Sequence, residues 1–288
     1  MGLTVDVEGA QWPPRAISQD RVFLTASAAI VLDGASAFAR VDVSVETYVD
    51  TLGELITDAL RHDPAGDLID VLATAIDGTA RRLDLRAGTS PSSTVAIVRV
   101  GSGDLDVLVL GDTAVHFGLG DTAHQLVDLR QDGLATDERR RYEAHLAAGH
   151  GYDDALMALL VELQLEQRKH RNRPGGYWIA EANPDAARHA LTHREPLRDG
   201  LWAVAATDGS YGVLEHLGED DWPAIASASA ADILGRLHYC ADWELSTDPR
   251  GVAFPRAKVS DDKAVATVRV RLMEADADPR TEPGASAG

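Results

Sequence analysis

The chain has 288 residues and a formal net charge of −19, with 45% hydrophobic and 25% charged residues. This composition is typical of an ordinary globular protein, and the acidic balance argues against binding nucleic acid through phosphates. A single cysteine, Cys240, excludes an internal disulfide and indicates a reducing cytoplasm. We expect no membrane attachment, because no apolar stretch reaches the ~18 residues that span a bilayer and the N-terminus has no signal-peptide pattern.

The hydrophobic pattern predicts short strands alternating with pairs of helices. Strands are expected as a hairpin over 22–32, a pair over 94–100 and 105–110, weaker strands over 115–119 and 124–129, and later strands over 177–180, 201–206 and 264–272. Helices are expected over 41–61, 67–83, one long stretch over 136–171, a short segment after Asn183-Pro184, and 222–243.

Successive strands are often joined by tight turns, which favours antiparallel sheets flanked by helices over a doubly wound parallel sheet. We expect one domain over residues 1–273, because no linker composition interrupts it. Residues 274–288 are rich in Asp, Pro, Gly, Ser and Ala and are expected to form a disordered tail.

Three aspartates at the ends of apolar runs are the strongest functional signal. Asp33 and Asp208 each close a run and precede a glycine, and Asp261 opens the last run. Taken singly, each Asp-Gly pair is more typical of a turn. Two carboxylates about 4 Å apart repel by roughly 4 kcal/mol at an effective dielectric of 20, so three would converge only around cations. A hard divalent-metal site is the leading hypothesis.

Six short segments occur in order between residues 15 and 272. They cover residues 15–22, 30–34, 92–96, 108–113, 206–209 and 261–268. Their order and separations resemble the motifs of the metal-dependent protein phosphatases of type 2C, the PPM family. Residues 176–184 resemble a divergent bacterial, actinobacterial-like subgroup of that family. The resemblance implies an α+β fold, a four-layer αββα sandwich of two antiparallel sheets flanked by helices, with metals between the sheets at one edge.

The resemblance also implies a metal centre of two, or with a weaker third, Mn²⁺ or Mg²⁺ ions. Asp33 would bridge two ions with help from the Gly34 carbonyl, and Asp208 and Asp261 would complete the first ion. Asp112 resembles an aspartate that helps to hold the third ion, although a hairpin corner is an equally good interpretation. Water activated between two ions would then hydrolyse a phosphomonoester without a protein nucleophile.

Arg15 is the residue that the resemblance assigns to the substrate phosphate, because a planar guanidinium can bind two phosphate oxygens. Asp20 is interpreted equally well as a structural residue or as a metal ligand. Gln19 and Asp262 stand where the family has Glu and Asn, respectively, so one site carboxylate is lost and another gained. The basic residues over 168–173 are interpreted first as a solvated helix end and second as a surface for phosphorylated substrate.

Two function classes remain open from the sequence. The first is a cytoplasmic, monomeric Mn/Mg-dependent Ser/Thr phosphatase that acts on a phosphorylated protein in bacterial signalling. The alternative is a non-catalytic phosphatase-fold protein that acts as a binding or regulatory module. Gln19 and Gly212 depart from the family pattern and favour the second class, whereas the three strand-end aspartates favour the enzyme. Ala35 is a further departure from the pattern.

Overall fold

A computed structural model of the chain describes residues 2–35 and 42–273. The strands in these ranges are β1 (Gly2–Trp12), β2 (Arg21–Leu24), β3 (Ala28–Gly34), β4 (Ser93–Val100), β5 (Asp104–Leu110), β6 (Ala114–Leu119), β7 (Thr122–Leu126), β8 (Leu191–Pro196), β9 (Leu201–Ala206) and β10 (Lys263–Met273). The α-helices are α1 (Val45–His62), α2 (Leu68–Arg82), α3 (Thr136–Ala147), α4 (Asp154–Arg168), α5 (Asp208–Leu217), α6 (Trp222–Ala226) and α7 (Ala230–Ser246). The predicted tail over 274–288 lies outside the described residues.

The strands form two antiparallel five-stranded sheets. One sheet has the order β1-β10-β9-β6-β7, and the other has the order β2-β3-β4-β5-β8. In the second sheet Asp33 pairs with Thr94, and in the first Val265 pairs with Ala206. Asp33 thus lies near the end of β3, whereas Asp208 follows the end of β9 and Asp261 precedes the start of β10.

The alternation of side chains along each strand determines which layer they face. In β3, Ala29 and Val31 pack between the two sheets, whereas Ile30 and Leu32 pack against α1 and α2. In β9, Ala205 faces the space between the sheets, whereas Val204 packs against α5, α6 and α7. The result is helices, sheet, sheet and helices, which confirms the predicted αββα arrangement.

The helices begin where side chains can bind free backbone N–H groups. Ser44 accepts from the N–H of Thr47 at the start of α1, and Asp67 accepts from the N–H groups of Ile69 and Asp70 at the start of α2. Both helices bury an apolar stripe against the sheet that contains β3. No helix in the described ranges is long and apolar enough to cross a membrane.

The prediction of one long helix over 136–171 is wrong. The segment forms two helices, α3 and α4, which pack on each other as a hairpin with a small apolar cluster of its own. Gly149 and Gly151 have φ values of 79° and 74°, and Asp153 caps α4 by accepting from the N–H of Leu156. Two left-handed residues end a helix because they cannot continue its hydrogen-bond pattern.

Three other differences concern strands and a helix boundary. The strands β1 and β8 were not predicted, and residues 177–180 form only isolated bridges, with Ala180 opposite Ser93 and Tyr177 opposite Arg171. The helical region predicted over 222–243 consists of α6 and α7. Strand β1 pairs along its whole length with β10, so its place depends on a partner at the other end of the chain.

Candidate functional site

Five aspartates meet at one edge of the interface between the sheets. Asp20 precedes β2, Asp33 lies near the end of β3, Asp112 lies in the turn after β5, Asp208 begins α5, and Asp261 precedes β10. Each of Asp20, Asp33 and Asp208 has the charge of another member among the causes that raise its pKa. The structure therefore brings together the three aspartates predicted from the strand ends, with Asp20 and Asp112 beside them.

Burial and mutual repulsion both act on these carboxyl groups. Desolvation, followed by the charges of Asp20, Asp208 and Asp112, raises the pKa of Asp33 well above its usual value. Desolvation and the charge of Asp208 raise the pKa of Asp112 to about 7. Without a cation, this cluster therefore retains protons that isolated carboxylates would lose.

Asp208 interacts with two other aspartates of the cluster, Asp261 and Asp33. Its side chain is open to the water of the adjoining cavity, but surrounding atoms still desolvate the carboxyl, which together with Asp261 raises the pKa of Asp208. A hydrogen bond with Asp33 partly offsets that rise. Asp33 and Asp208 therefore lie within hydrogen-bonding reach of each other, and the pKa of each is raised.

The glycine after Asp208 allows α5 to approach the segment before β10. A Cβ atom at Gly209 would lie 2.2 Å from the Asp262 carbonyl oxygen and 3.0 Å from the Asp261 Cβ atom. Any side chain here would push the start of α5 away from that segment. Gly209 therefore holds Asp208 and Asp261 at neighbouring positions.

The glycine after Asp33 has a similar packing role. A Cβ atom at Gly34 would lie 2.5 Å from the Val45 Cγ1 atom and 2.6 Å from the Gln19 carbonyl oxygen. Gly34 therefore brings the end of β3 against the segment before β2, and the residue after it, Ala35, donates its N–H to the Ser92 carbonyl oxygen at 3.0 Å. The contact of the Gly34 carbonyl oxygen with a metal remains a prediction.

The segment before β2 is bound to the segment before β10. The backbone N–H of Gln19 donates to Asp262 Oδ2 at 2.6 Å, and the Gln19 side chain donates to Glu46 Oε1 at 3.2 Å. Asp20 is only 2% exposed, and its Oδ2 atom has no hydrogen-bond partner. Asp262 thus has a structural contact, and Asp20 presents a buried oxygen that lacks a proton donor or cation.

The donor chemistry of the cluster fits a hard divalent cation, which prefers carboxylate and carbonyl oxygens. The orphaned Asp20 Oδ2 and the close approach of the Asp33 and Asp208 carboxyl groups are both expected of a carboxylate site without its counter-ion. Among residues 2–35 and 42–273, however, no group of three or more His, Cys, Asp or Glu side chains is arranged to hold an ion as it stands. Small side-chain movements would have to accompany binding.

Arg15 lies beside α1. Its Nη2 atom donates to Asp50 Oδ1 at 2.5 Å, and its guanidinium carbon lies 4.7 Å from the centre of the Phe23 ring. Asp50 also accepts from the Nε atom of the buried Arg21 at 2.7 Å. Arg15 therefore has protein partners, and its predicted phosphate contact would require it to exchange Asp50 for substrate.

A cavity of about 370 Å³ opens beside Asp112, Asp208 and Asp261, and α4 lines its far side. Arg139 of α3 contributes a guanidinium to its wall, donating to Asp132 at 3.4 Å while its buried Nε atom has no partner. Arg139 and Asp132 were missed from the sequence. The sequence signal that was available is their position in the polar, charged segment that follows strands β6 and β7.

Lys258 was also missed, although it stands three residues before Asp261. Its Nζ atom donates to Asp261 Oδ1 at 2.5 Å. Although burial opposes the effect, the charges of Asp261, Asp262 and Asp33 raise the pKa of Lys258. The cluster therefore already contains one cation supplied by the chain.

No protein-family model and no curated protein matches the chain. Solved structures do match its fold. The catalytic domain of the serine/threonine protein phosphatase PstP, in complex with two manganese ions, is 13% identical, with a TM-score of 0.51 over 94% of this chain and 100% of that one. The PPM Ser/Thr phosphatase MsPP from Mycobacterium smegmatis is 15% identical, with a TM-score of 0.51 over 92% and 97% of the two chains.

A third matching structure is PppA, described as a key regulatory component of the T6SS in Pseudomonas aeruginosa. It is 14% identical, with a TM-score of 0.51 over 93% of this chain and 100% of that one. At such identities the likeness concerns the fold. The chain has the α+β fold of the PPM, or type 2C, Ser/Thr phosphatases.

Proposed function

We propose that the chain is a divergent PPM phosphatase that hydrolyses phosphoserine or phosphothreonine on a protein substrate, with Mn²⁺ or Mg²⁺ as cofactor. The observation that carries this proposal is the meeting of five aspartates at one edge of the two sheets, in a chain with the fold of these phosphatases. A cluster so repulsive is costly to a protein that never binds a cation.

In the proposed site Asp33, the Gly34 carbonyl, Asp208 and Asp261 would hold two ions, and Asp112 a third. The ions would supply Lewis acidity and an activated water. Asp262 binds the N–H of Gln19 and so fixes the segment that carries Asp20. Arg15 would bind the substrate phosphate after leaving Asp50.

A non-catalytic regulatory module is the second candidate. Lys258 already neutralises Asp261, which favours a protein that needs no metal there. The name of PppA as a regulatory component offers a parallel among proteins of this fold. Gln19 and Gly212, which depart from the family pattern, favour the same candidate.

We further propose that the protein is a cytoplasmic monomer that binds neither nucleic acid nor membranes. The net charge of −19 supports the exclusion of nucleic acid, because it repels phosphate backbones. A phosphorylated protein could still approach through local cations.

The deciding experiment follows the hydrolysis of a phosphothreonine peptide by the full chain with Mn²⁺, with Mg²⁺ and with EDTA. We expect turnover with either metal and its loss in EDTA. Asp33→Asn should lower kcat by at least about 100-fold without loss of folding, because an isosteric amide removes a ligand charge and also relieves carboxylate repulsion.

Asp104→Asn is the matched control, since Asp104 begins β5 at the end opposite to Asp112. Its activity should equal that of the wild type. Turnover that survives exhaustive chelation, or a fully active Asp33→Asn variant, would show that the aspartates are not metal ligands. A wild type that folds normally but has no turnover with either metal would favour the regulatory candidate.

A further inference from the structure

Three cations lie close to the acidic cluster, two in the loop between α7 and β10 and one, Lys263, at the start of β10. Two of them are fully engaged in buried pairs. Lys263 Nζ donates to Glu244 Oε2 at 2.6 Å, and Arg256 Nη1 donates to Asp248 Oδ2 at 2.8 Å. These two cations neutralise carboxylates of α7 and its C-terminal loop, so they are not available to the cluster.

Lys258, the third cation, faces the cluster itself. Its Nζ atom lies 2.5 Å from Asp261 Oδ1, and the two side chains are 35% and 30% exposed. The charges of Asp262 and Asp33 also act on this ammonium. Lys258 thus belongs to the electrostatic environment of three carboxylates on two different segments.

The oxygen that Lys258 binds is already fully used. Asp261 Oδ1 accepts from the backbone N–H of Asp262 at 2.8 Å as well as from Lys258. Lys263 donates to the Asp261 carbonyl oxygen at 3.0 Å, which fixes the backbone of this residue from the α7 side. A cation that binds Asp261 Oδ1 must therefore displace the Lys258 ammonium, while the backbone remains in place.

The Lys258 contact occurs together with the absence of a preformed ion-binding group in the described residues. Asp208 and Asp261 lie at neighbouring positions because Gly209 permits close packing. Asp261 nevertheless directs one oxygen at Lys258, and in residues 2–35 and 42–273 no three side chains are arranged around a common ion. Breaking one half-exposed ion pair costs little, since exposed pairs contribute small free energies.

We propose that Lys258 is a built-in counter-ion of the acidic cluster that competes with a divalent cation for Asp261 and so lowers the metal affinity of the site. This role depends on the proposed function of Asp261 as a metal ligand. The role of Lys258 differs from that of Asp261, because Asp261 would bind the metal whereas Lys258 would lower the affinity of the site for it. Lys258 holds the metal-free cluster together and competes with the metal.

The test is calorimetric titration of Mn²⁺ into the full-length, chelator-treated protein. Lys258→Met should bind Mn²⁺ about three- to fivefold more tightly than the wild type, which corresponds to about 0.6–1 kcal/mol. Lys258→Arg keeps the charge and should bind within about twofold of the wild type. Lys169→Met is the matched control, because it removes the same charge from the exposed end of α4 and should also change affinity less than about twofold.

Thermal unfolding gives a second readout that does not depend on activity. In EDTA, Lys258→Met should unfold at a lower temperature than the wild type, because the cluster loses its cation. In saturating Mn²⁺ the order should reverse or vanish. Lys258→Gln, which retains a polar group, should repeat both results if Lys258→Met fails to fold.

The outcomes separate this role of Lys258 from the proposed phosphatase activity. Unchanged or weaker Mn²⁺ binding by Lys258→Met, with normal wild-type binding, would overturn the counter-ion role and leave the phosphatase proposal standing. A lower kcat/KM with unchanged Mn²⁺ affinity would also overturn it and would make Lys258 a substrate contact. Tighter Mn²⁺ binding without phosphatase activity in any variant would support the counter-ion role and refute the enzyme.

Discussion

Arg15 is bound to Asp50, but its surroundings would allow it to bind a substrate phosphate instead. Its side chain is 47% exposed and shares Asp50 with Arg21, which is almost fully buried. Arg21 has further acceptors in the carbonyl oxygens of Ser18 and Asp20. Asp50 would therefore keep a partner if Arg15 turned towards a phosphate.

We predict that Arg15→Ala lowers kcat/KM for a phosphopeptide roughly 10- to 150-fold, because a bidentate charge-assisted contact is worth about 1.5–3 kcal/mol. Steady-state kinetics would measure the loss, with Mn²⁺ titration beside it. Mn²⁺ affinity should not change, since Arg15 is paired with Asp50 of α1 and not with an aspartate of the cluster.

Arg15→Lys is the conservative control and should recover only part of the efficiency, because an ammonium is a point charge without a fork. A weaker Mn²⁺ affinity in Arg15→Ala, or full catalytic efficiency, would mean that the phosphate role and the N-terminal motif behind it are both misassigned.

At the scale of elements, the α3–α4 hairpin is the part of the fold that most changes the surroundings of the aspartates. It lines the cavity beside Asp112 and Asp208 and supplies Arg139 to its wall. The direction of α4 depends on the left-handed residues Gly149 and Gly151. The conformation of one short turn thus determines the shape of the cavity.

We predict that Gly151→Ala destabilises the protein by about 1–2 kcal/mol, the cost of a left-handed conformation for a residue with a Cβ atom. The site has room for the methyl group, since its nearest neighbour would be the Arg250 Cγ atom at 3.5 Å. The loss therefore comes from backbone strain, and urea unfolding followed by far-UV circular dichroism would measure it.

Gly235→Ala is the opposite control. Gly235 lies inside α7, is exposed, and has no atom within 4 Å of an added Cβ. Alanine there should stabilise the protein by about 0.5–1 kcal/mol, because glycine is the poorer residue in a helix. Equal effects of the same sign at both positions would be incompatible with the left-handed turn.

At the scale of the whole molecule, the layers are joined by buried groups that must stay in one charge state. His116 of β6 stacks on Trp222 of α6 with ring centres 3.6 Å apart, and its buried Nε2 atom has no hydrogen-bond partner. Burial lowers the pKa of His116 from 6.5 to about 3. The imidazole that joins sheet and helix layer is therefore neutral in the folded protein.

The sign of the resulting pH dependence follows from proton uptake. Below pH 6.5 the unfolded chain protonates His116, whereas the folded chain does so only near pH 3, so acid favours unfolding in this window. Between about pH 6 and pH 4, His116 should lower the free energy of unfolding by up to about 1.4 kcal/mol for each pH unit of acidification. We predict that this contribution is absent in His116→Phe.

Urea unfolding of both proteins in EDTA at pH 7.5, 6 and 5 would measure this difference. The acidic cluster has the opposite sign, because its raised pKa values make the folded state hold more protons, but it is common to both proteins and cancels in the comparison. Parallel pH profiles for wild type and variant would show that His116 is not buried in its neutral form.

The local pattern of the sequence determined much of the fold and the position of the strand-end aspartates. The apolar runs of β3 and β10 and the caps at Ser44 and Asp67 act between residues a few positions apart, so they are readable before the partners are known. Strand β1 also carried a local signal, since Leu3, Val5 and Val7 alternate with polar residues.

Tertiary structure alone decided which of these local features meet. Three contacts join parts of the chain that are far apart in sequence. They are the pairing of β1 with β10, the hydrogen bond from Gln19 to Asp262, and the close packing of Gly209 on the Asp261 segment. The Lys258–Asp261 pair is close in sequence, yet its importance depends on Asp33 and Asp208, which arrive from other elements. The spacing of residues determines which secondary structure a segment can form. The charge and burial of a site depend on all the segments that surround it.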